Sequence, residues 1–172
     1  MSRLIITATG PDRPGIVGEL TDQLHAGGAN ILDTRMVNLR GEFAMLILIE
    51  VAEPDVQRLC QSMTDQAAKI GMRLTASALQ AGARVSGLPF RLKTYSLDQP
   101  GIVARLSQVL RQFGVNIEEL SGRQESAPFD GSPLFLNEMR LTVPPNVSLG
   151  QLRGELEAVA ESLNCDIDLD PA

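Results

Sequence analysis

Aromatic side chains are scarce. The chain of 172 residues has no Trp, one Tyr and five Phe. Its core must therefore be built from Leu, Ile, Val, Met and Ala. Histidine occurs once, as His25, in what reads as the last turn of a helix, where an imidazole can meet free carbonyls. No Ser–His–Asp or Cys–His motif surrounds it. The two cysteines, Cys60 and Cys165, lie far apart and in no CxxC spacing. They read as free, small buried residues in a reducing compartment and not as nucleophiles.

Basic charge of the kind that grips a phosphate backbone is also missing. The net charge is -6. Residues 1–86 hold 8 basic and 9 acidic groups, and residues 87–172 hold 7 and 12. Direct binding to nucleic acid is not expected of either half. The longest apolar run, Phe43 to Ile49, is far short of the roughly 20 residues that a bilayer span takes. Asp12, Arg13 and Glu19 interrupt the apolar pattern near the start, so no signal peptide is visible. These absences point to a cytoplasmic protein without membrane association. Its 44% hydrophobic and 21% charged residues suit a globular fold.

What the chain does have is itself, twice. Asp12-Arg13-Pro14-Gly15-Ile16-Val17 matches Asp98-Gln99-Pro100-Gly101-Ile102-Val103 at an offset of 86. At the same offset Leu20, Leu24, Gly28 and Asn30-Ile31 match Leu106, Leu110, Gly114 and Asn116-Ile117. Beyond that, Phe43 lies on Phe135 and Val51 on Val143 at an offset of 92. The second copy therefore carries about six extra residues within Gln124 to Ser132. The period is too long for a solenoid. Two modules are expected, residues 1–82 and 89–172, joined by a Gly- and Ser-containing linker over 83–88.

Each copy reads as strand, helix, strand, strand, helix, strand. In the first, strands are expected over Arg3–Thr9, Ile31–Leu39, Phe43–Val51 and Met72–Leu79. Helices are expected from about Pro14 to Ala26 and from about Asp55 to Ile70. In the second, strands are expected over Phe90–Ser96, Asn116–Arg123, Leu134–Val143 and Cys165–Leu169, with helices over Pro100–Phe113 and Ser148–Leu163. Alternation in Ile31–Leu39 is imperfect. In Leu134–Val143 it is clean, with Phe135, Asn137, Met139, Leu141 and Val143 on one face. The fold class that follows is α+β, with two tandem βαββαβ ferredoxin-like modules.

The two D-x-P-G turns raise a chemical question. Asp12 can cap the following helix through its carboxylate. Pro14 suits a first turn whose N–H groups have no intrahelical partner. Gly15 is a poor helix former, and its presence suggests close approach of another backbone or a ligand to the helix N-terminus. Exposed N–H groups there suit a carboxylate. A tight strand-to-helix turn alone accounts equally for Asp, Pro and Gly. Asp166, Asp168 and Asp170 share one face of the last strand, as a cation site or as a solvated edge. No phosphate loop is present.

"DRPGIVGELTDQLHAGGANI" and "DQPGIVARLSQVLRQFGVNI" resemble the opening of ACT domains. The signature D-x-P-G-[IV]-[LV] followed by G-x-N-I stands in both halves. The resemblance implies βαββαβ modules that bind amino acids and regulate metabolism, pairing side by side within a chain or as a homodimer. It implies a ligand pocket at a module interface, with Asp12, Arg13, Gly15, Ile16 and Asn30 matching the binding positions of the first module. Asp98, Gly101, Ile102 and Asn116 match those of the second. Arg13 can pair with a ligand carboxylate or be a solvated loop residue. Asn30 and Asn116 can read a ligand or cap their own turns. The bare two-module form implies a transcriptional regulator that is not an enzyme and needs no cofactor. It would act through a transcription factor or metabolic enzyme and not by touching DNA, with glycine as the first candidate ligand. A ligand-free interaction module and an enzyme of amino-acid metabolism are the alternatives.

Overall fold

The computed structural model describes residues 1–79, 86–126 and 131–172. The chain divides into two compact units, Met1–Gly82 and Ala83–Ala172. Of the expected linker, residues 83–85 lie outside the described residues. Ser86 and Gly87 have no regular structure, and Leu88 already opens a strand.

The first unit contains β1 (Ser2–Pro11), α1 (Ile16–Ala26), β2 (Asn30–Leu39), β3 (Glu42–Val51), α2 (Val56–Lys69) and β4 (Arg73–Ala78). The second contains β5 (Leu88–Leu97), α3 (Ile102–Gln112), β6 (Asn116–Ser126), β7 (Pro133–Val143), α4 (Leu149–Ser162) and β8 (Cys165–Pro171). Both sheets are antiparallel, in the orders β2-β3-β1-β4 and β6-β7-β5-β8. Each unit is thus an α+β sandwich of βαββαβ form, as the repeat predicts. The β2–β3 hairpin turns at Arg40 and Gly41, both with positive φ (53° and 89°), the conformation that matches strand twist in a two-residue loop.

The imperfect alternation of the second strand has a structural cause. The β2–β3 register skips Leu32, and the β6–β7 register skips Glu118 at the equivalent place. A one-residue bulge there turns the following side chains to the other face. The β6–β7 ladder ends at Ser126 opposite Pro133, so the six extra residues of the second copy lie between these two. Residues 127–130 of that insertion lie outside the described residues.

Each sheet buries one face under its own helices. In the first unit Ile6, Ile47 and Ile49 meet Leu20, Leu24, Leu59 and Met63. In the second Leu92, Met139 and Leu141 meet Leu106, Leu110, Leu152 and Leu156. Helical spacing of these residues puts one stripe against the sheet. Phe135, on the same face of β7 as the buried Met139, is only half buried, and the inward position between them is polar, at Asn137. Among the described residues no helix is long and apolar enough to cross a membrane.

The helices begin later than the sequence suggests. Both start at the Ile after the D-x-P-G turn, with Gly15 (φ 91°) and Gly101 (φ 97°) as left-handed N-caps. Close approach is not the reason for glycine. A Cβ on Gly101 would meet nothing within 4 Å, and one on Gly15 only Glu19 Oε1 at 3.8 Å. The backbone angle itself demands glycine, because L side chains are disfavoured there. Gly101→Ala is expected to lower stability by about 1–2 kcal/mol, the cost of a left-handed non-glycine residue. Urea unfolding monitored by circular dichroism measures this, and an unchanged midpoint would refute the conformational account.

Candidate functional site

The turns before α1 and α3 are each held by the same two contacts. The Asp12 N–H donates to the Gly41 carbonyl at 2.7 Å, and the Asp98 N–H donates to the Pro133 carbonyl at 2.8 Å. The side-chain amide of Asn38 donates to Asp12 Oδ2, and that of Gln124 donates to Asp98 Oδ2. Neither aspartate caps its helix: among the described residues no side-chain hydrogen bond caps the first turn of α1 or α3. The carboxylate is instead turned across to the neighbouring hairpin. Asn38 and Gln124 were not singled out from the sequence. They share the offset of 86, and that was the available signal.

With no cap, the opening turn of α3 is bare. Its first intrahelical bond runs from the Arg105 N–H to the Gly101 carbonyl. The N–H groups of Ile102, Val103 and Ala104 find no acceptor among the described residues. They point outward where the helix carries its partial positive charge. A cavity of about 460 Å³ lies there, lined by Asp98, Gln99, Gly101, Ile102, Ala104 and Phe135, among others. The Gln99 amide donates to the Leu163 carbonyl at the end of α4, which ties the loop down on one side. The Ile102 side chain is itself buried in the core, as is Ile16. These two residues offer a ligand their backbone and not their side chains.

The matching turn of the first unit is occupied by the protein's own charges. Arg13 Nη1 and Nη2 each reach a Glu19 carboxylate oxygen at 2.7 Å. Glu19 stands in the first turn of α1, close to Gly15. The hydrogen bond from Arg13 holds the Glu19 carboxyl below the usual carboxylate range, and the same bond raises the Arg13 guanidinium. In the second unit Gln99 replaces Arg13 and Arg105 replaces Glu19. No carboxylate from α3 competes at that turn.

Asn30 and Asn116 stand elsewhere. Asn30 pairs with Glu50, which pairs with Arg3. Asn116 pairs with Thr142, which pairs with Pro89. In each case the loop aspartate lies nine residues farther along the central strand, roughly 30 Å away at 3.3 Å per residue. The Asn116 amide donates to Glu118 Oε1 at 2.7 Å, beside a separate cavity of about 390 Å³ near the C-terminal end of α3. Within one unit the structure brings Asp12, Arg13, Gly15 and Ile16 together, and likewise Asp98, Gly101 and Ile102. It does not bring either asparagine to them. Among the described residues no group of three His, Cys, Asp or Glu side chains is placed to hold a metal ion. Cys60 is partly buried and Cys165 buried, both as free thiols.

Comparison with known proteins supplies relatives for this arrangement. The ACT domain family matches residues 2–77. The glycine cleavage system transcriptional repressor of Escherichia coli is 23% identical over 163 residues, covering 94% of this chain and 85% of that protein. A UPF0237 protein of Methanococcus maripaludis is 32% identical over 76 residues, covering 43% of this chain and 84% of its own length. Among solved structures, an unknown protein from Galdieria sulphuraria superposes with a TM-score of 0.84 at 27% identity, covering 99% of this chain and 98% of that one.

The Arg13–Glu19 pair can be tested by titration. A lowered carboxyl pKa means the pair adds stability at neutral pH and loses it as the pH falls through the Glu19 midpoint. Arg13→Gln, which copies the second unit, is expected to move that midpoint back up to the ordinary carboxylate range. Carboxyl-carbon NMR of Glu19 in the two proteins measures it, and an unmoved midpoint would rule out the pairing.

Proposed function

Because the chain belongs to the ACT-domain family, with two βαββαβ modules in tandem, we propose that it is a regulatory protein that senses a small amino acid. The observation that carries this reading is the uncapped first turn of α3, open to a cavity that also holds a carboxylate. A zwitterion has one group for each. Its carboxylate accepts from the N–H groups of Ile102, Val103 and Ala104. Its ammonium faces Asp98, which the Gln124 amide keeps oriented. Glycine is the first candidate, since a relative spanning nearly the whole chain carries the glycine cleavage system in its name.

The reading assigns the chain no catalytic role and no cofactor. It acts on transcription through a partner, a transcription factor or a metabolic enzyme, because a net charge of -6 opposes direct contact with DNA. Ligand must prefer one conformation of the chain over another for the partner to register it. Association with a second copy is part of the reading. The edge strand β2 is exposed along its length and carries Met36, Val37 and Leu39. A cytoplasmic setting suits two free thiols.

A ligand-free interaction module is the second reading, and one observation favours it for the first unit. There Glu19 already supplies the carboxylate that a ligand would bring. The first-module positions Asp12, Arg13, Gly15 and Ile16 are on this account a site closed by its own residues. Asn30 and Asn116 belong to the sensing reading only through contacts separate from the loop.

Titration calorimetry of the whole chain with glycine and the other small amino acids tests the proposal. A saturable heat with at least one is expected. Ala104→Asp puts a carboxylate into the first turn of α3, where it favours the helix but repels an anion. It is expected to weaken binding at least tenfold with the fold intact by circular dichroism. No heat with any amino acid, or full binding in Ala104→Asp, would defeat the sensing role of this turn.

A further inference from the structure

The second module buries polar groups that the first does without. Thr94, Ser96 and Asn137 are only 4%, 4% and 3% exposed. Thr94 Oγ1, Ser96 Oγ and both polar atoms of the Asn137 amide have no hydrogen-bond partner among the described residues. At the equivalent places of the first sheet stand Ala8, Gly10 and Met45. The fold therefore does not need polar atoms there, and unpaired ones are strongly unfavourable in a core.

The three form one cluster. Thr94 lies directly opposite Asn137 in the β5–β7 ladder, and Ser96 lies opposite Phe135. All face the helices, on the same side of the sheet as Leu92 and Met139. Ser96 stands two residues before Asp98, so the cluster lies just inside the turn that opens α3.

Phe135 separates the cluster from the cavity at that turn. It lines the cavity and is two residues from Asn137 on the same face of β7. Its ring lies over Gly122, where a Cβ would come within 2.7 Å of it. Its counterpart Phe43 is fully buried, whereas Phe135 is half buried.

We propose that the second module binds an amino acid with a hydroxyl or carboxamide side chain, which passes Phe135 and pairs with Thr94, Ser96 and Asn137. This rests on the amino-acid reading above and adds to it the depth and chemistry of the pocket. Each of the three groups both donates and accepts, which matches a hydroxyl or a carboxamide. An aliphatic side chain would leave all of them unpaired, a mismatch that sites of this kind reject strongly. A charged one would meet no opposite charge within the cluster. Glycine reaches only the helix turn.

Calorimetry of the full chain with glycine, L-serine, L-asparagine and L-glutamine tests this. At least one of the three polar amino acids is expected to bind tenfold or more tightly than glycine. Asn137→Met and Thr94→Ala, which install the first module's residues, are expected to reduce that preference to twofold or less. Thermal melting reports whether each variant folds, and the two variants are independent. Glycine binding as tightly as all three, or a preference that survives both substitutions with only the melting temperature changed, would overturn the deep pocket and leave the sensing reading standing. No binding by any of the four overturns the deep pocket. The sensing reading falls as well only if the remaining small amino acids also fail to bind.

Discussion

A single backbone angle governs the chemistry available to this protein. At Gly15 and Gly101 the chain passes through the left-handed region just before a helix begins. That turn carries the strand into the helix within four residues. It also keeps the loop aspartate away from the helix axis, so no side chain caps the N-terminus. In α3 the first-turn N–H groups are left as donors without an acceptor among the described residues. The aspartate is pulled to the hairpin by Asn38 or Gln124, and its backbone N–H is pinned to the same hairpin. Donors and carboxylate end up beside one another without bonding to one another.

The two copies keep this turn and differ in what fills it. In the first, Arg13 and Glu19 form a two-pronged ion pair over the helix start. Half exposed as it is, the pair adds little to stability. Its effect is on Arg13, whose guanidinium is already taken by the Glu19 carboxylate. In the second copy Arg105 stands at the Glu19 position and Gln99 is bound to the α4 terminus. The difference extends inward. Ala8 and Met45 belong to a buried apolar core in the first module, whereas Thr94, Ser96 and Asn137 leave polar atoms unpaired among the described residues of the second. Two copies of one fold thus differ in charge and polarity at the same turn and behind it.

Most of the architecture was legible because it rests on short-range rules. The repeat at an offset of 86 gave two modules, and apolar spacing separated strands from helices at nearly every element. The misreadings are local and have local causes. The helices begin at Ile16 and Ile102 because proline and glycine shape the turn before the helix and not its first residues. The broken alternation after Ile31 came from a bulge at Leu32, which no periodicity can anticipate. Asp12 read as a cap because its type and position suit one. Only the hairpin brought near by folding offered it a better partner in Asn38.

By itself the sequence determined the repeat and the βαββαβ order, since each follows from neighbours along the chain, whereas the left-handed turn at Gly15 and Gly101 reads there as close approach. Tertiary structure alone decided which residues lie beside one another. Asn30 lies close to Gly15 in sequence, yet α1 carries the chain to the opposite end of the module. Gln124 is far from Asp98 in sequence, yet the sheet brings them into contact across β7. Sheet register works across the chain, and it is register that placed Thr94, Ser96 and Asn137 together behind Phe135.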